Sequence, residues 1–387
     1  MTAPASLDPE RQALAKKYAL VQRRLSFVEM GVFALLLAIL LVTGISPSLR
    51  DWASGLGGPS FVTIAVYGLV LGAIFFLLSL PLDFYSGYVL PQRYGLGTQS
   101  LGGWVIDSIK SLVLTGVLGL AGLELLYWLL GAFPVWWWVP MAALLWLFSA
   151  ASLWLAPLLL MPLFYKISPL DNPELVARLT RLAESAGAKV RGVYVMDMSS
   201  RTTTANAMLA GLGSTRRIIL GDTLLANYTD DEIETVLAHE LAHHVHNDLL
   251  WGLAFEAVII AVGMWLTSLL LAWGVVALGY RDVGDVASVP LFVAAMAIFG
   301  LVTMPMTNFL SRQRERAADL YAIKTTGNSA AFRSVMTKLA GQNLSDADPP
   351  DWVRVLFYSH PPIGERIRGA GMDDGRQTTD GSKVSTR

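Results

Sequence analysis

Six long apolar stretches constrain this sequence more than any other feature. They cover residues 27–46, 61–82, 109–132, 135–161, 250–279 and 288–310. A helix needs roughly 20 apolar residues to cross the hydrocarbon layer of a bilayer. Inside that layer the backbone must satisfy its own hydrogen bonds, and a helix does so locally. The sequence therefore predicts a mainly α-helical, polytopic membrane protein with a bundle of six transmembrane helices.

The composition agrees with a membrane protein and argues against several other classes. Hydrophobic residues make up 54% of the chain and charged residues only 15%. A net charge of −1 argues against nucleic acid as a partner. The chain contains no cysteine, so disulfides and thiolate metal ligands are excluded. The composition does not predict an oligomeric state.

Lysine and arginine are distributed unevenly between the two sides of the predicted bundle. With the N-terminus inside, the outer loops 47–60, 131–134 and 280–287 contain only Arg50 and Arg281 as basic residues. Cytoplasmic loops of membrane proteins carry the excess of lysine and arginine. We therefore expect the polar segments to lie in the cytoplasm. The expected location is a bacterial inner membrane, with the active site on its cytoplasmic side.

The apolar stretches divide the chain into five segments. Residues 1–163 form an N-terminal region of four transmembrane helices, and residues 250–310 form two more. Between them, residues 164–249 form a cytoplasmic segment with a helix near 173–186 and strands at 189–196, 203–209 and 216–220. Residues 311–370 form a second polar segment, with a helix near 329–342. The composition of residues 371–387, rich in Gly, Asp, Thr and Ser, predicts a disordered tail.

The chemistry is concentrated in one short motif, His239-Glu240-Leu241-Ala242-His243. The helix that carries it begins with a capping box at Thr229–Glu232 and runs almost directly into the fifth span at Leu249. Residues four apart lie on one face of a helix, so both imidazoles can bind one Zn²⁺. Glu240 then lies beside the metal-bound water as a general base. The ring directions of His244 and His246 point elsewhere, and we do not expect them to be ligands.

A catalytic zinc needs a third protein ligand, and a carboxylate is the natural donor here. Glu315 is the best candidate because it belongs to a helix that directly follows the sixth span. Asp319 lies one turn further along the same face. Its carboxylate can accept the free ring N–H of a zinc-bound histidine and so fix the tautomer.

These motifs resemble the membrane gluzincin peptidases that include the type I CAAX prenyl proteases and HtpX. The residues that carry the resemblance are the His239–His243 box, Glu315 with Asp319, Asn206-Ala207, Pro162-Leu163-Phe164 with Lys166, and His360-Pro361-Pro362 followed by Arg366. The four spans before the box match the CAAX protease branch. Eukaryotic members have seven spans, whereas this chain has six.

The resemblance implies a zincin-like α+β metallopeptidase domain next to a six-helix bundle that surrounds a cavity. It implies that Glu315 is the third zinc ligand and that Asp319 acts in the active site. Asn206 and Ala207 then lie on an edge strand that binds the substrate backbone. His360 and Arg366 lie near the carbonyl that is attacked.

The sequence therefore predicts a zinc metalloendopeptidase that resembles the CAAX proteases and acts on a peptide or protein substrate at the lipid bilayer. Three alternatives share parts of this pattern. An HtpX-like quality-control protease has the same site. A six-span transporter would use the intramembrane carboxylates Glu124 and Glu256, which otherwise line a wet cavity or hydrogen-bond to a neighbouring helix. A site-2-type intramembrane protease is disfavoured because the box helix is polar.

Overall fold

The structure, a computed structural model, describes residues 6–380, except for the side chains of residues 214 and 372–380. Within this part, six helices are long and apolar enough to cross a membrane. They are Pro9–Val42, Ser60–Arg93, Leu101–Ala132, Trp138–Phe164, Asp248–Ala277 and Val286–Thr326. The predicted number and order of the spans are thus confirmed. Whether the bundle surrounds a cavity stays a prediction.

The N-terminal region contains seven α-helical segments. They are α1 (Pro9–Val42), α2 (Ile45–Gly55), α3 (Ser60–Phe84), α4 (Leu90–Arg93), α5 (Leu101–Ala132), α6 (Trp138–Leu155) and α7 (Met161–Phe164). One π-helical segment, Tyr85–Val89, joins α3 to α4, and another, Ala156–Leu160, joins α6 to α7. Each pair with its π-helical segment therefore forms one continuous span.

The segment after the fourth span contains a four-stranded sheet with the order β1-β2-β4-β3. The strands are β1 (Ile167–Pro169), β2 (Val193–Met196), β3 (Ala207–Ala210) and β4 (Arg217–Gly221). β2 pairs with β4 in parallel, and the two outer strands pair antiparallel with their neighbours. The helices are α8 (Pro173–Ser185), α9 (Asp222–Asn227) and α10 (Asp230–Val245). β3 lies at one edge of this sheet.

The sheet differs from the predicted one in three ways. β1 is not among the predicted strands, and β2 is shorter than predicted. The strand predicted at 203–209 begins only at Ala207, because the preceding residues form a turn in which the Thr204 N–H bonds to the Thr202 hydroxyl. Asn206 therefore lies one residue before β3, although its backbone oxygen still accepts a hydrogen bond from the N–H of Gly221 at 2.9 Å.

The second half of the chain consists of five helices, apart from a short 3₁₀ turn. They are α11 (Asp248–Ala277), α12 (Val289–Thr326), α13 (Ser329–Gln342), α14 (Asp351–Phe357) and α15 (Ile363–Asp380). α15 continues through the first part of the predicted disordered tail, because helical backbone extends to Asp380. The remainder of that tail, residues 381–387, lies outside the described residues.

The box helix α10 does not continue directly into the fifth span. α10 ends at Val245, and Asn247 adopts the left-handed conformation with φ 55° before α11 begins. Asparagine tolerates this conformation better than most residues with a side chain. The chain therefore changes direction between the two helices, and Asp248 begins the new one.

The polar segments share one hydrophobic core, which supports the functional site. It contains leucine, valine and isoleucine side chains from α8, β2, β4 and α10, together with Ala322 of α12 and Phe332 and Val335 of α13. Leu241 and Ala242 of the box helix are completely buried. Burial of one face of α10 leaves its histidine face directed towards α12 and α15.

Candidate metal centre

Helix α10 places the two histidines of the box side by side. Its start is fixed by the predicted capping box: the Thr229 N–H donates to the Glu232 carboxylate at 2.8 Å, and the Glu232 N–H donates to the Thr229 hydroxyl at 3.4 Å. His239 and His243 lie one turn apart further along, with their ring centroids 5.1 Å apart. The periodicity of the helix thus brings both Nε2 atoms to the same side.

Helix α12 brings Glu315 between the two imidazoles. One carboxylate oxygen, Oε2, lies 3.2 Å from Nε2 of His239, and the other, Oε1, lies 3.5 Å from Nε2 of His243. Atoms that can act as ligands on these three residues all lie within 4.8 Å of one another. The structure therefore brings together the three residues that were predicted to bind the metal.

Each histidine also has a carboxylate on its other ring nitrogen. Nδ1 of His239 lies 2.9 Å from Oδ1 of Asp319, and Nδ1 of His243 lies 2.9 Å from Oδ2 of Asp248. Since an ionised carboxylate only accepts, each Nδ1 carries the proton. In the neutral form that binds a metal, each ring therefore has its lone pair on Nε2, which faces Glu315.

Two arginines hold these carboxylates in place. Arg366 on α15 donates from Nε and Nη2 to the two oxygens of Asp319, at 2.8 and 2.5 Å. Arg314 on α12 donates to Oδ1 of Asp248 at 2.5 Å. A bidentate guanidinium–carboxylate pair fixes orientation as well as charge. Each histidine is therefore oriented by an aspartate, which is itself held by an arginine.

The donor set fits a divalent metal ion. Two imidazole nitrogens and one carboxylate converge, as in catalytic zinc sites that combine two histidines with one glutamate. Oε2 of Glu315 is buried and has no hydrogen-bond partner in the described part of the chain. A buried carboxylate oxygen without a donor is unfavourable. A cation held by Glu315 and the two histidines would remove that penalty.

The electrostatics of the site point the same way. Burial lowers the pKa of His239, but hydrogen bonding to Asp319 and the nearby Glu315 carboxylate raise that pKa to about 9. Burial raises the pKa of Glu240 above its ordinary value, although the neighbouring imidazoles oppose this change. The site therefore attracts positive charge, and its candidate base is more easily protonated than an exposed glutamate.

A cleft of about 530 Å³ opens in front of the centre. His239, Glu240 and Glu315 lie on its floor, and Asn206 and Ala207 of the sheet edge form one side. Apolar side chains from α13 form part of the wall, and the segment Phe357–Pro362 forms another part; the α13 side chains are Phe332, Val335, Met336 and Leu339. The cleft therefore has room for an extended peptide beside an edge strand.

The other predicted site residues lie close to this cleft. Nε2 of His360 lies 3.5 Å from Oε1 of Glu315, and its side chain is 62% exposed. Arg366 was expected near the attacked carbonyl. Arg366 lines the cleft and its guanidinium is bound to Asp319, so its place near the attacked carbonyl stays a prediction.

Asp248 and Arg314 were not predicted as part of the site. Asp248 lies five residues after His243, which is not a helical spacing, and it reaches that ring only because the chain turns at Asn247. An asparagine directly after the box helix was the only signal of such a turn.

In the bundle, Oε1 of Glu256 accepts a hydrogen bond from the Ser149 hydroxyl at 2.7 Å. Oε1 of Glu124 is buried and has no partner in the described residues.

Comparison with known protein families matches two adjoining parts of the chain. Residues 169–371 match peptidase family M48. Residues 3–166 match a family described as the CAAX prenyl protease N-terminal region with five membrane helices. In the described part of this region the chain has four helices of spanning length and the shorter α2.

Individual relatives cover most of the chain. An uncharacterized metalloprotease of Bacillus subtilis, YhfN, is 30% identical over 96% of this chain and 88% of its own. CAAX prenyl protease 1 of Saccharomyces cerevisiae is 28% identical over 77% of this chain and 70% of its own. The crystal structure of Ste24p from S. mikatae superposes with a TM-score of 0.82 at 25% identity, covering 94% and 89% of the two chains. This chain therefore belongs to peptidase family M48 and is an integral membrane metalloprotease with the Ste24p-like fold.

Proposed function

We propose that this protein is a zinc-dependent endopeptidase that cleaves membrane-associated peptide or protein substrates in the manner of the CAAX proteases. The observation that carries the proposal is the convergence of His239, His243 and Glu315 on one point at the floor of a cleft. Relatives named CAAX prenyl protease 1 support the choice of substrate class. The transporter alternative is not favoured, since the family is one of peptidases.

Zinc is the metal that this donor set suits best. His239 and His243 would bind through Nε2 and Glu315 through its carboxylate, with Asp319 and Asp248 holding the two Nδ1 protons. When bound, zinc acts as a Lewis acid that makes water more acidic and polarises a carbonyl oxygen. No cysteine competes for the ion, because the chain contains none.

The protein side chains carry out the proton transfers. Glu240 accepts a proton from the attacking water and returns it to the amine nitrogen of the departing product. A raised pKa suits this exchange, because it makes the carboxylate a stronger proton acceptor than an exposed glutamate. Asp319 acts as a positioning group for His239, and Arg366 keeps Asp319 in place.

Substrate binding is assigned to the walls of the cleft. The free side of β3, beginning at Ala207, offers backbone groups to an extended peptide, and Asn206 lies at the entrance of that edge. His360 is exposed next to Glu315 and can donate to the oxyanion that develops at the attacked carbonyl.

The proposed location is a bacterial cytoplasmic membrane, with the centre at its inner surface. The uneven distribution of lysine and arginine supports this orientation. A relative of similar length in Bacillus subtilis supports a bacterial setting.

Replacement of Glu240 by Gln tests the mechanism directly. The amide cannot take a proton from water, so we expect cleavage of a fluorogenic peptide by the protein in nanodiscs to fall about 10²–10⁴-fold. Zinc content should stay at the wild-type value, because Glu240 is not a ligand. Glu234→Gln, on the same helix but outside the cleft, serves as the control and should cleave normally. A Glu240→Gln enzyme with normal turnover contradicts the assignment.

The substrate class is tested by presenting one peptide sequence in two forms. One form carries a lipid anchor and is embedded in the nanodisc, and the other is free in solution. A CAAX-like enzyme should cleave near the C-terminus of the anchored form much faster. Equal cleavage at scattered internal sites would favour a quality-control protease instead.

A further inference from the structure

Helix α14 presents apolar side chains to the outside of the protein, although it belongs to a polar segment of the chain. Trp352, Val355 and Phe357 are 51, 42 and 39% exposed, whereas Val353 on the opposite side is 1% exposed. An amphipathic element with exposed aromatic residues is typical of the interfacial region of a bilayer. A polar solvent would leave this apolar surface uncovered.

The position of α14 relative to the first span supports this environment. Phe27, at the start of the first apolar stretch, lies 6.5 Å from Trp352 and 5.7 Å from Phe357 between ring centroids. Arg23, one turn earlier on α1, lies over the Trp352 ring at 5.9 Å. α14 therefore lies at the level where α1 changes from basic to apolar.

Hydrogen bonds from the sixth span independently place α14 at the same level of the bilayer. Asn308, near the end of the apolar part of α12, donates to the backbone oxygen of Leu356 at 2.6 Å. Arg312, one turn further on, is buried and donates to the backbone oxygens of Arg354 at 3.0 Å and Tyr358 at 2.5 Å. Two spans thus hold α14 at the height where each leaves the hydrocarbon layer.

The exposed face of α14 also continues an apolar surface that must contact lipid. Val28 and Leu35 on α1 are 51 and 62% exposed and belong to the first span. Phe27 connects this surface to Trp352. The exposed face of α14 and the lipid-facing side of α1 form one continuous apolar surface. We therefore expect lipid, and not a second protein, to cover both.

We propose that α14 is a docking element that lies in the interfacial region of the bilayer and anchors the segment carrying His360. His360 follows α14 by three residues; Phe357 belongs to both α14 and the wall of the cleft, and Tyr358 follows it directly in that wall. One wall of the cleft is therefore fixed to the membrane surface. This inference concerns contact with lipid and does not depend on the proposed peptidase activity.

Single cysteines allow a direct test, because the chain contains no cysteine of its own. Val355→Cys, Glu184→Cys and Val302→Cys are each labelled with a bimane fluorophore in full-length protein in phosphatidylcholine nanodiscs. Glu184 is exposed on α8, and Val302 is 72% exposed in the sixth span. Emission is then measured with a nitroxide lipid labelled near the headgroup, and separately with aqueous iodide.

The proposal predicts that the label at Val355 loses most of its emission with the nitroxide lipid and little with iodide. Glu184 should show the reverse, and Val302 should respond to lipid alone. Trp352→Cys provides a second reporter on the same face and should behave like Val355. Strong quenching of the Val355 label by iodide overturns the proposal. Shielding of that label from both quenchers also overturns it, because protein then covers the patch.

Discussion

At the scale of single residues, the centre depends on two hydrogen-bonded chains that end on the imidazoles. Arg366 and Asp319 orient His239, while Arg314 and Asp248 orient His243. Both carboxylates come from helices other than α10. Such partners fix the tautomer of a metal-binding histidine and increase its basicity. The pair on His243 is the part that the motif alone does not predict.

Replacement of Asp248 by Asn tests the second chain. The amide can accept the Nδ1–H bond but carries no charge, so metal affinity should fall about 10–100-fold. Competition with a chromophoric chelator measures this affinity without any substrate. At saturating zinc the variant should still bind a full equivalent, since the three ligands remain. Asp230→Asn, exposed in the first turn of α10, is the matched control, and equal affinities of the two variants would contradict the role of Asp248.

Among the elements, α10 carries His239, Glu240 and His243, and contacts made by its first turn hold this helix in place. Glu232 is buried and accepts hydrogen bonds from Thr229 N, from the Ser334 hydroxyl at 2.6 Å and from the Lys338 ammonium at 2.7 Å. These contacts tie the start of the box helix to α13. Burial raises the pKa of Glu232, but the hydrogen bonds from Lys338 and Ser334 lower it by more, so that the pKa lies below its ordinary value.

The lowered pKa of Glu232 predicts a pH-dependent contribution to stability. A carboxyl group with a folded-state pKa below its unfolded value stabilises the protein fully above the unfolded value, about 4.3, and loses this contribution as pH falls through the folded value. Glu232→Gln should therefore lower the free energy of unfolding by about 1–2 kcal/mol at pH 7. The difference from wild type should shrink below about pH 4. Thermal unfolding at several pH values measures it, with Glu184→Gln as the control. A difference that stays constant down to pH 3 would be the contrary result.

How much the sequence predicts also differs between elements. The six spans are predictable because the hydrocarbon layer sets their length. The His239–His243 pair is predictable because helical periodicity places residues four apart on one face. Glu315 is predictable from metal chemistry, because a catalytic zinc needs a third protein ligand and few other candidate ligands remain. β1 is not predictable, because its three residues acquire strand geometry only by pairing with β2, which lies 24 or more residues later. Asp248 is equally hidden, because its contact depends on the left-handed backbone at Asn247.

At the scale of the whole molecule, the polar segments are fastened to the bundle at several places. Near the N-terminus, Arg11 of α1 donates to the backbone oxygen of Gly341 at 2.7 Å, and Gln12 bonds to the backbone of Ser345 and Ala347. α12 continues from the sixth span into Glu315 without interruption. The polar segments that form the cleft are therefore tied to the first and sixth spans.

The proposed orientation is tested by labelling cysteines from one side of the membrane. Ser54→Cys lies exposed in the last turn of α2, and Ser185→Cys lies at the end of α8. In intact cells, an impermeant maleimide should label the cysteine at Ser54 and not the one at Ser185. After lysis both should be labelled. The reverse pattern in intact cells would place the centre on the outer surface and contradict the proposed location.

We expect one metal ion to join α10 to α12 through His239, His243 and Glu315. The most direct measurement is the metal content of the purified protein, determined by mass spectrometry for wild type, Glu315→Ala and the exposed-site control Glu184→Ala. We expect about one zinc per chain in wild type and control, and loss of most of it in Glu315→Ala, because only two ligands remain. A full equivalent of zinc retained by Glu315→Ala would mean that Glu315 is not a ligand.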